Sequence, residues 1–328
     1  SYLLSAPISI AIYSYLRFGI ARVFFEKHGL AAISAMDLTQ RLINIPAIVF
    51  YYLKTLFWPI NLAIGQQWVV NSVDFSGFVL PLIVDGVFIA LLIYLAILMS
   101  IKSRQYIYLY IFFVLWFLGS LLFHLQLFPL DMTVSERWFY LPLAGILGVL
   151  GSLVLGIKNG GFVDKKAITY LVLLGVVLLS ARTLLRTFDW RNGLILYSKD
   201  IKNSINAFDL ENNLGVELFR TERYEEAKEH FEKSIQLAPS WWTNYNNLGA
   251  YWEKRGELEK AEGLYKKSID NGNYYLAYEN YAFILIKRKK YSEAVEFLEK
   301  NIGFFPNSPR LLTALTTAKY LYNIESTK

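Results

Sequence analysis

The chain has 328 residues, of which 55% are hydrophobic, 16% aromatic and only 18% charged, with a formal net charge of +6. It contains no cysteine, which excludes disulfides, thiolate metal sites and a cysteine nucleophile, and its three scattered histidines (His28, His124, His230) do not suggest a zinc site. The charge is segregated: Ser1–Phe188 carries 13 Lys/Arg and 7 Asp/Glu, whereas Asp189–Lys328 carries 20 of each. The excess positive charge therefore belongs to the apolar half. The polar half has no basic stripe that could track a phosphate backbone, so the pI near 9.1 does not imply nucleic-acid binding.

In chain order, the first segment, 2–16, is apolar but short, as a helix cut at its start would be. The chain opens on Ser1 within this stretch, without an initiator Met or a charged leader, which suggests that an N-terminal portion is missing. Segment 40–58 is apolar but holds Arg41, Pro46 and Lys54, and it reads either as a span or as a re-entrant, interfacial segment. Four longer runs (78–101, 105–128, 139–157 and 167–187) reach the roughly 20 residues that a bilayer requires. The expected total is six membrane helices.

Short-loop Lys/Arg content sets orientation. The connections at 102–105 and 158–166 carry Lys102, Arg104, Lys158, Lys165 and Lys166, against Arg137 alone in the loops 59–77 and 129–138. The first pair is expected in the cytoplasm and the second outside, so the last span delivers the C-terminal region to the outer face. The localisation expected is a bacterial cytoplasmic membrane or the endoplasmic reticulum, with the C-terminal domain extracytoplasmic or lumenal.

That region repeats with a period near 34 residues. Leu214-Gly215 recurs as Leu248-Gly249 and then as Tyr281-Ala282; Ala227 recurs as Ala261 and Ala294; Phe231 recurs as Tyr265 and Leu298. Small residues that admit a close helix approach and large residues that fill the gap, at this spacing, are the pattern of tetratricopeptide repeats (TPRs). The fold class is all-α: a polytopic transmembrane helix bundle followed by a TPR α-solenoid. Its divisions are 1–188 for the membrane region, 189–207 for a connecting helix, 208–307 for three repeats and 308–328 for a capping helix and tail.

Two groups of residues stand out as candidate sites. Asn213, Asn247 and Asn280 occupy equivalent repeat positions. Their amides offer a donor and an acceptor each, which suits the backbone of an extended acceptor peptide; the alternative is helix packing within each repeat. At the outer membrane level, Lys54, Glu136, Arg137, Arg182 and Arg186 are the expected binding set for an anionic headgroup such as the phosphate of a lipid-linked sugar. Arginine suits this role because its planar fork bonds two phosphate oxygens. Asp85 and His124 are further polar groups at membrane depth. Trp58, Trp68, Trp138 and Trp190 read as interfacial anchors. No residue is assigned as catalytic and none as a metal ligand.

The string Ser135-Glu136-Arg137-Trp138-Phe139-Tyr140-Leu141-Pro142 resembles the Ala-Glu-Arg-x-x-Tyr-Leu-Pro signature of the transmembrane-and-TPR O-mannosyltransferase-like family. Tyr51-Tyr52-Leu53-Lys54 followed by Pro59-Ile60-Asn61-Leu62, and the Trp190-Arg191-Asn192 entry into the repeats, resemble it as well. The resemblance implies a GT-C type glycosyltransferase. Such an enzyme moves a sugar, here mannose, from a polyprenyl-phosphate donor to protein Ser/Thr hydroxyls on the exoplasmic face, with a divalent cation as an optional aid. It also implies an acidic catalytic motif in a first outer loop. Asp74 and Asp131 match no such motif, so this chain is expected to be a C-terminal portion. Two other readings stay open: a non-enzymatic, membrane-anchored TPR scaffold, and an O-antigen-ligase-like or oligosaccharyltransferase-like enzyme.

Overall fold

A computed structural model describes residues 8–9, 11–20, 30–160 and 165–327. The short first segment, 2–16, and the basic connection at 158–166 lie in part outside the described residues. Thirteen helices from Leu38 onward are α1 (Leu38–Phe57), α2 (Leu80–Lys102), α3 (Ile107–Leu122), α4 (Tyr140–Gly160), α5 (Lys165–Asp189), α6 (Gly193–Asp200), α7 (Phe208–Arg220), α8 (Tyr224–Leu237), α9 (Trp242–Lys254), α10 (Leu258–Asn271), α11 (Tyr275–Lys287), α12 (Tyr291–Asn301) and α13 (Pro309–Ser326). Among the described residues the one sheet is a two-residue hairpin, with Gly65 opposite Ser135 and Gln66 opposite Val134.

Four helices among the described residues are long and apolar enough to cross a membrane: Phe75–Lys102, Arg104–Leu122, Glu136–Gly156 and Thr169–Asp189. Their bounds follow the four long apolar runs, except that the second stops at Leu122. There the chain turns, and Gln126 takes a positive φ of 59°. Gln126 is fully buried and donates to the carbonyls of Met132 and Thr133, which closes the turn. His124 thus sits in a loop and not in a span, stacked on Trp138. In the bundle α3 and α4 approach closely because Gly145 and Gly148 carry no side chain; a Cβ on Gly148 would lie 2.1 Å from the Phe113 ring. By contrast α5 leaves most of its apolar surface exposed, as a helix solvated by lipid does.

The segment that includes α1 is not one of these spans. Asp37 caps α1 in a capping box with Gln40. Along its length the polar groups of α1 meet the loops 59–77 and 129–138 and the turn before the second. Arg41 donates to the carbonyl of Gln126, Asn44 exchanges two hydrogen bonds with the backbone of Val70, and the Tyr52 hydroxyl meets the backbone of Ser135. Ile48 and Tyr52 pack on Phe117, Leu121, Phe139 and Ile146, at the loop ends of α3 and α4. The start, middle and end of α1 thus all touch loops 59–77 and 129–138 or the turn that leads into them.

Downstream, α7/α8, α9/α10 and α11/α12 form three helix hairpins, and α13 covers the last. In the first two hairpins the Leu-Gly step brings paired helices together: a Cβ on Gly215 would lie 2.6 Å from Phe231, and one on Gly249 would lie 2.7 Å from Tyr265. Ala227, Ala261 and Ala294 are fully buried at equivalent points, and Leu311, Ala314 and Ala318 of α13 close the core. A second staple recurs at this spacing. Ser234 donates to the carbonyl of Phe208, and Ser268 donates to that of Trp242, tying the end of each hairpin to its beginning. The connector is not one helix over its length: α6 spans eight residues and passes into a short 3-10 turn at Ile201–Asn203.

Candidate functional site

The turn leading into α4, the last turn of α5, the loop after α1, the hairpin and the connector converge on one charged cluster. Arg186 is on the last turn of α5, with its side chain only 11% exposed, and its guanidinium grips the fully buried Asp200 with both arms, at 2.6 and 3.0 Å. The same group reaches Asp189, three residues on, at 3.4 Å and Glu136 at 3.5 Å. Asp189 in turn pairs with Lys199. The second oxygen of Asp200 also accepts the backbone N–H of Ile64 at 2.9 Å. Alongside, Asn203 donates to the carbonyl of Leu62, Gln66 to that of Asn203, and Ser204 to that of Gly65. A buried carboxylate holds its charge only when paired and hydrogen-bonded. Here one arginine supplies the pairing while the loop backbone supplies the rest. The connector is thereby fastened to the membrane region, and the repeats leave the bundle on the side that carries loops 59–77 and 129–138.

This geometry separates the two arginines that share a helical face. Arg186 was expected to bind a lipid phosphate, with Glu136 nearby, but it already faces three carboxylates, and an incoming phosphate would have to displace them. In this arrangement both side chains are engaged in the contacts that join α5, the loops and the connector. Arg182 differs. It donates from Nε to the carbonyl of Pro59 at 2.5 Å and from a terminal nitrogen to that of Ile60 at 3.1 Å. Carbonyl oxygens orient a guanidinium without neutralising it, and two of its five donors account for both bonds. Among the described residues no carboxylate lies within ion-pair distance of Arg182, which stands on the wall of a cleft of about 290 Å³ between α5 and the loop at Pro59 and Leu62, with Thr183, Arg186, Thr187 and Trp190 also lining it.

The remaining candidates fall around this cluster. Arg137 is on the 3-10 turn Glu136–Phe139, 65% exposed, with Asp131 at 3.9 Å as its ion-pair partner. Lys54 is exposed in the last turn of α1. Trp58 and Trp190 are exposed, as anchors would be, whereas Trp68 packs against Tyr51 and Trp138 is half-buried on His124. Asp74 caps the turn at Phe75–Val79 by accepting from the N–H groups of Ser76 and Gly77. Nearby, Asp209 at the start of α7 has its carboxyl pushed above the usual range by burial. Among the described residues no group of three or more His, Asp or Glu could hold a metal ion.

In the repeats, Asn247 donates to Asn212 at 2.8 Å and Asn280 to Asn246 at 3.0 Å, so each amide reaches back to the preceding hairpin. One donor of each is used in this ladder. Asn212 and Asn246 are buried, whereas Asn213, Asn247 and Asn280 stay partly exposed. Asn212 and Asn246 are not among the residues expected to form a site, although their 34-residue spacing is the repeat period. Neither are Asp189, Lys199 and Asp200. Asp189 follows Arg186 by three residues, a helical neighbour visible in the sequence; Asp200 meets it only because the chain turns at Trp190–Asn192.

Comparison with known proteins gives a consistent but partial picture. A family model described as tetratricopeptide repeat matches residues 208–240. The chain is 27% identical over 139 residues to Protein O-mannosyl-transferase TMTC3 of Mus musculus, covering 42% of this chain and 15% of that protein. It is 34% identical over 117 residues to Protein O-mannosyl-transferase Tmtc2 of Drosophila melanogaster, covering 35% and 12%. The chain thus matches about an eighth of the length of these relatives, and the similarity falls over a TPR region. Among solved structures, the TPR2B-domain:pHsp70 complex of yeast Sti1 matches with a TM-score of 0.32 and 22% identity, covering 34% of this chain and 96% of that one.

Proposed function

We propose that this chain is part of a membrane glycosyltransferase that takes mannose from a polyprenyl-phosphate donor and passes it to protein Ser/Thr hydroxyls on the exoplasmic face. The observation that carries the proposal is the cleft at Arg182. A cation oriented by two backbone carbonyls, with no carboxylate among the described residues within ion-pair distance and set at the membrane boundary, suits a phosphate whose lipid tail stays in the bilayer beside the exposed face of α5. Arg137 and Lys54, both exposed, are the further cations available to such a headgroup. Partial similarity to two proteins named as O-mannosyl-transferases supports mannose and protein hydroxyls as the sugar and acceptor. The repeats, fastened on the same side as the cleft, hold the acceptor segment. Asn213, Asn247 and Asn280 offer their remaining amide groups to its backbone.

Charge on the departing lipid phosphate is met by Arg182, and electrostatic stabilisation of this kind is worth most where water is excluded. Repeats that hold the acceptor raise its local concentration at the cleft. The test is binding of a polyprenyl-phosphate sugar to the purified protein. Loss of one charge-assisted contact of roughly 1.5–3 kcal/mol should weaken binding about 10- to 150-fold in Arg182→Ala. Arg182→Lys should recover only part of this, because an ammonium lacks the fork. Equal donor binding by the parent and Arg182→Ala would remove the cleft from the account. The scaffold reading would then be the better one.

A further inference from the structure

The last turn of the first helix in each hairpin ends in a cation: Arg220 in α7, Lys254 in α9 and Lys287 in α11. The spacings, 34 and 33 residues, are those of the repeat, so the three lie in one row along the solenoid. A cation there also favours the helix C-terminus, which accounts for the residue type. It does not account for the cavity beside it. Phe219, Ala250, Glu253, Lys254 and Lys287 line a hollow of about 370 Å³ that spans all three hairpins. Ala250 makes the room: the equivalent positions in the neighbouring hairpins hold Val216 and Phe283.

Charge balance around the hollow is uneven. Glu253 is already matched, accepting from Lys287 and from the Tyr265 hydroxyl, each at 2.8 Å. Arg220 pairs with Glu217 at 2.8 Å. Lys254, exposed, lies 5.7 Å above the Tyr224 ring, and among the described residues no carboxylate is within ion-pair distance of it. We propose that this hollow receives an acidic side chain of an extended peptide, with Lys254 as its partner and Phe219 packing against the adjoining backbone. The proposal deepens the acceptor role given above to the repeats and rests on that reading for its biological meaning. It makes acidic, extended segments the preferred acceptors.

The experiment measures fluorescence anisotropy of labelled peptides, one of Asp-Ser-Thr repeats and one of Lys-Ser-Thr repeats, with the full chain in detergent micelles. The acidic peptide should bind, more weakly as salt is raised, and the basic one should not. Lys254→Ala removes one exposed charge contact and should weaken binding roughly 2- to 5-fold, whereas Lys254→Arg should bind like the parent. Ala250→Phe copies the residue at the equivalent position of the next hairpin and should block the hollow while the repeats stay folded by circular dichroism. Equal binding of the two peptides, or unchanged acidic-peptide binding by both Lys254→Ala and Ala250→Phe, would overturn the proposal. Mannose transfer is read separately. Acidic binding without transfer would fault the enzymatic reading alone, and transfer indifferent to peptide charge would fault the pocket alone.

Discussion

Replacing Arg186 with Ala should undock the repeats from the membrane region. The substitution leaves Asp200, fully buried, with the backbone N–H of Ile64 as its remaining polar partner, and it also releases Asp189 and Glu136. Removing one partner of a buried ion pair costs about 3–5 kcal/mol, because the other charge is left uncompensated. With a tenfold change for each 1.36 kcal/mol, that shifts the docking equilibrium by roughly two to three and a half decades. Amide hydrogen exchange at Ile64 reads this directly, since its N–H is bonded to Asp200. Its exchange should accelerate in Arg186→Ala, and the connector should become open to protease. Removing both charges with Arg186→Gln and Asp200→Asn together should restore part of the protection, since both side chains can still hydrogen-bond. In Arg137→Ala, which disturbs one exposed pair, the change should stay within about 1 kcal/mol. Unaltered exchange at Ile64 in Arg186→Ala would refute the assignment of this cluster as the fastening.

Two further outcomes concern the repeats. Gly249→Ala places a methyl 2.7 Å from the Tyr265 ring and should destabilise the repeat region by about 1–3 kcal/mol in thermal unfolding, whereas Gly263→Ala, where a Cβ meets nothing within 4 Å, should not destabilise it. Burial raises the pKa of Glu211, but His230 and Lys233 outweigh this and hold the carboxyl below its usual range. Its contribution is therefore complete above the unfolded-state pKa of about 4.3 and is lost as pH falls through the lower folded-state value. In a pH series of unfolding midpoints, Glu211→Gln should flatten that acid limb.

The periodic parts of the molecule were legible in the sequence and the long-range ones were not. Leu214-Gly215 and Leu248-Gly249 announce hairpins because close helix approach admits only a small residue there, a local demand written at a fixed spacing. Four spans were legible for a similar reason, since the bilayer demands unbroken apolar length. α1 was ambiguous because Arg41, Asn44 and Tyr52 find their partners at Gln126, Val70 and Ser135, more than 25 residues away. The two arginines of α5 looked alike for the same reason. Helical spacing puts Arg182 and Arg186 on one face, but only the fold gives one a set of carboxylates and the other a pair of carbonyls.

The proposed transfer of mannose from a lipid phosphate to a protein hydroxyl is tested most directly in proteoliposomes holding the purified protein, radiolabelled polyprenyl-phosphate mannose and a Ser/Thr-containing acidic peptide. The account predicts label on the peptide, released by β-elimination as expected for a Ser/Thr linkage, and lost in Arg182→Ala while the repeats stay folded. Label that never leaves the lipid, or that reaches the peptide equally well in Arg182→Ala, would contradict it.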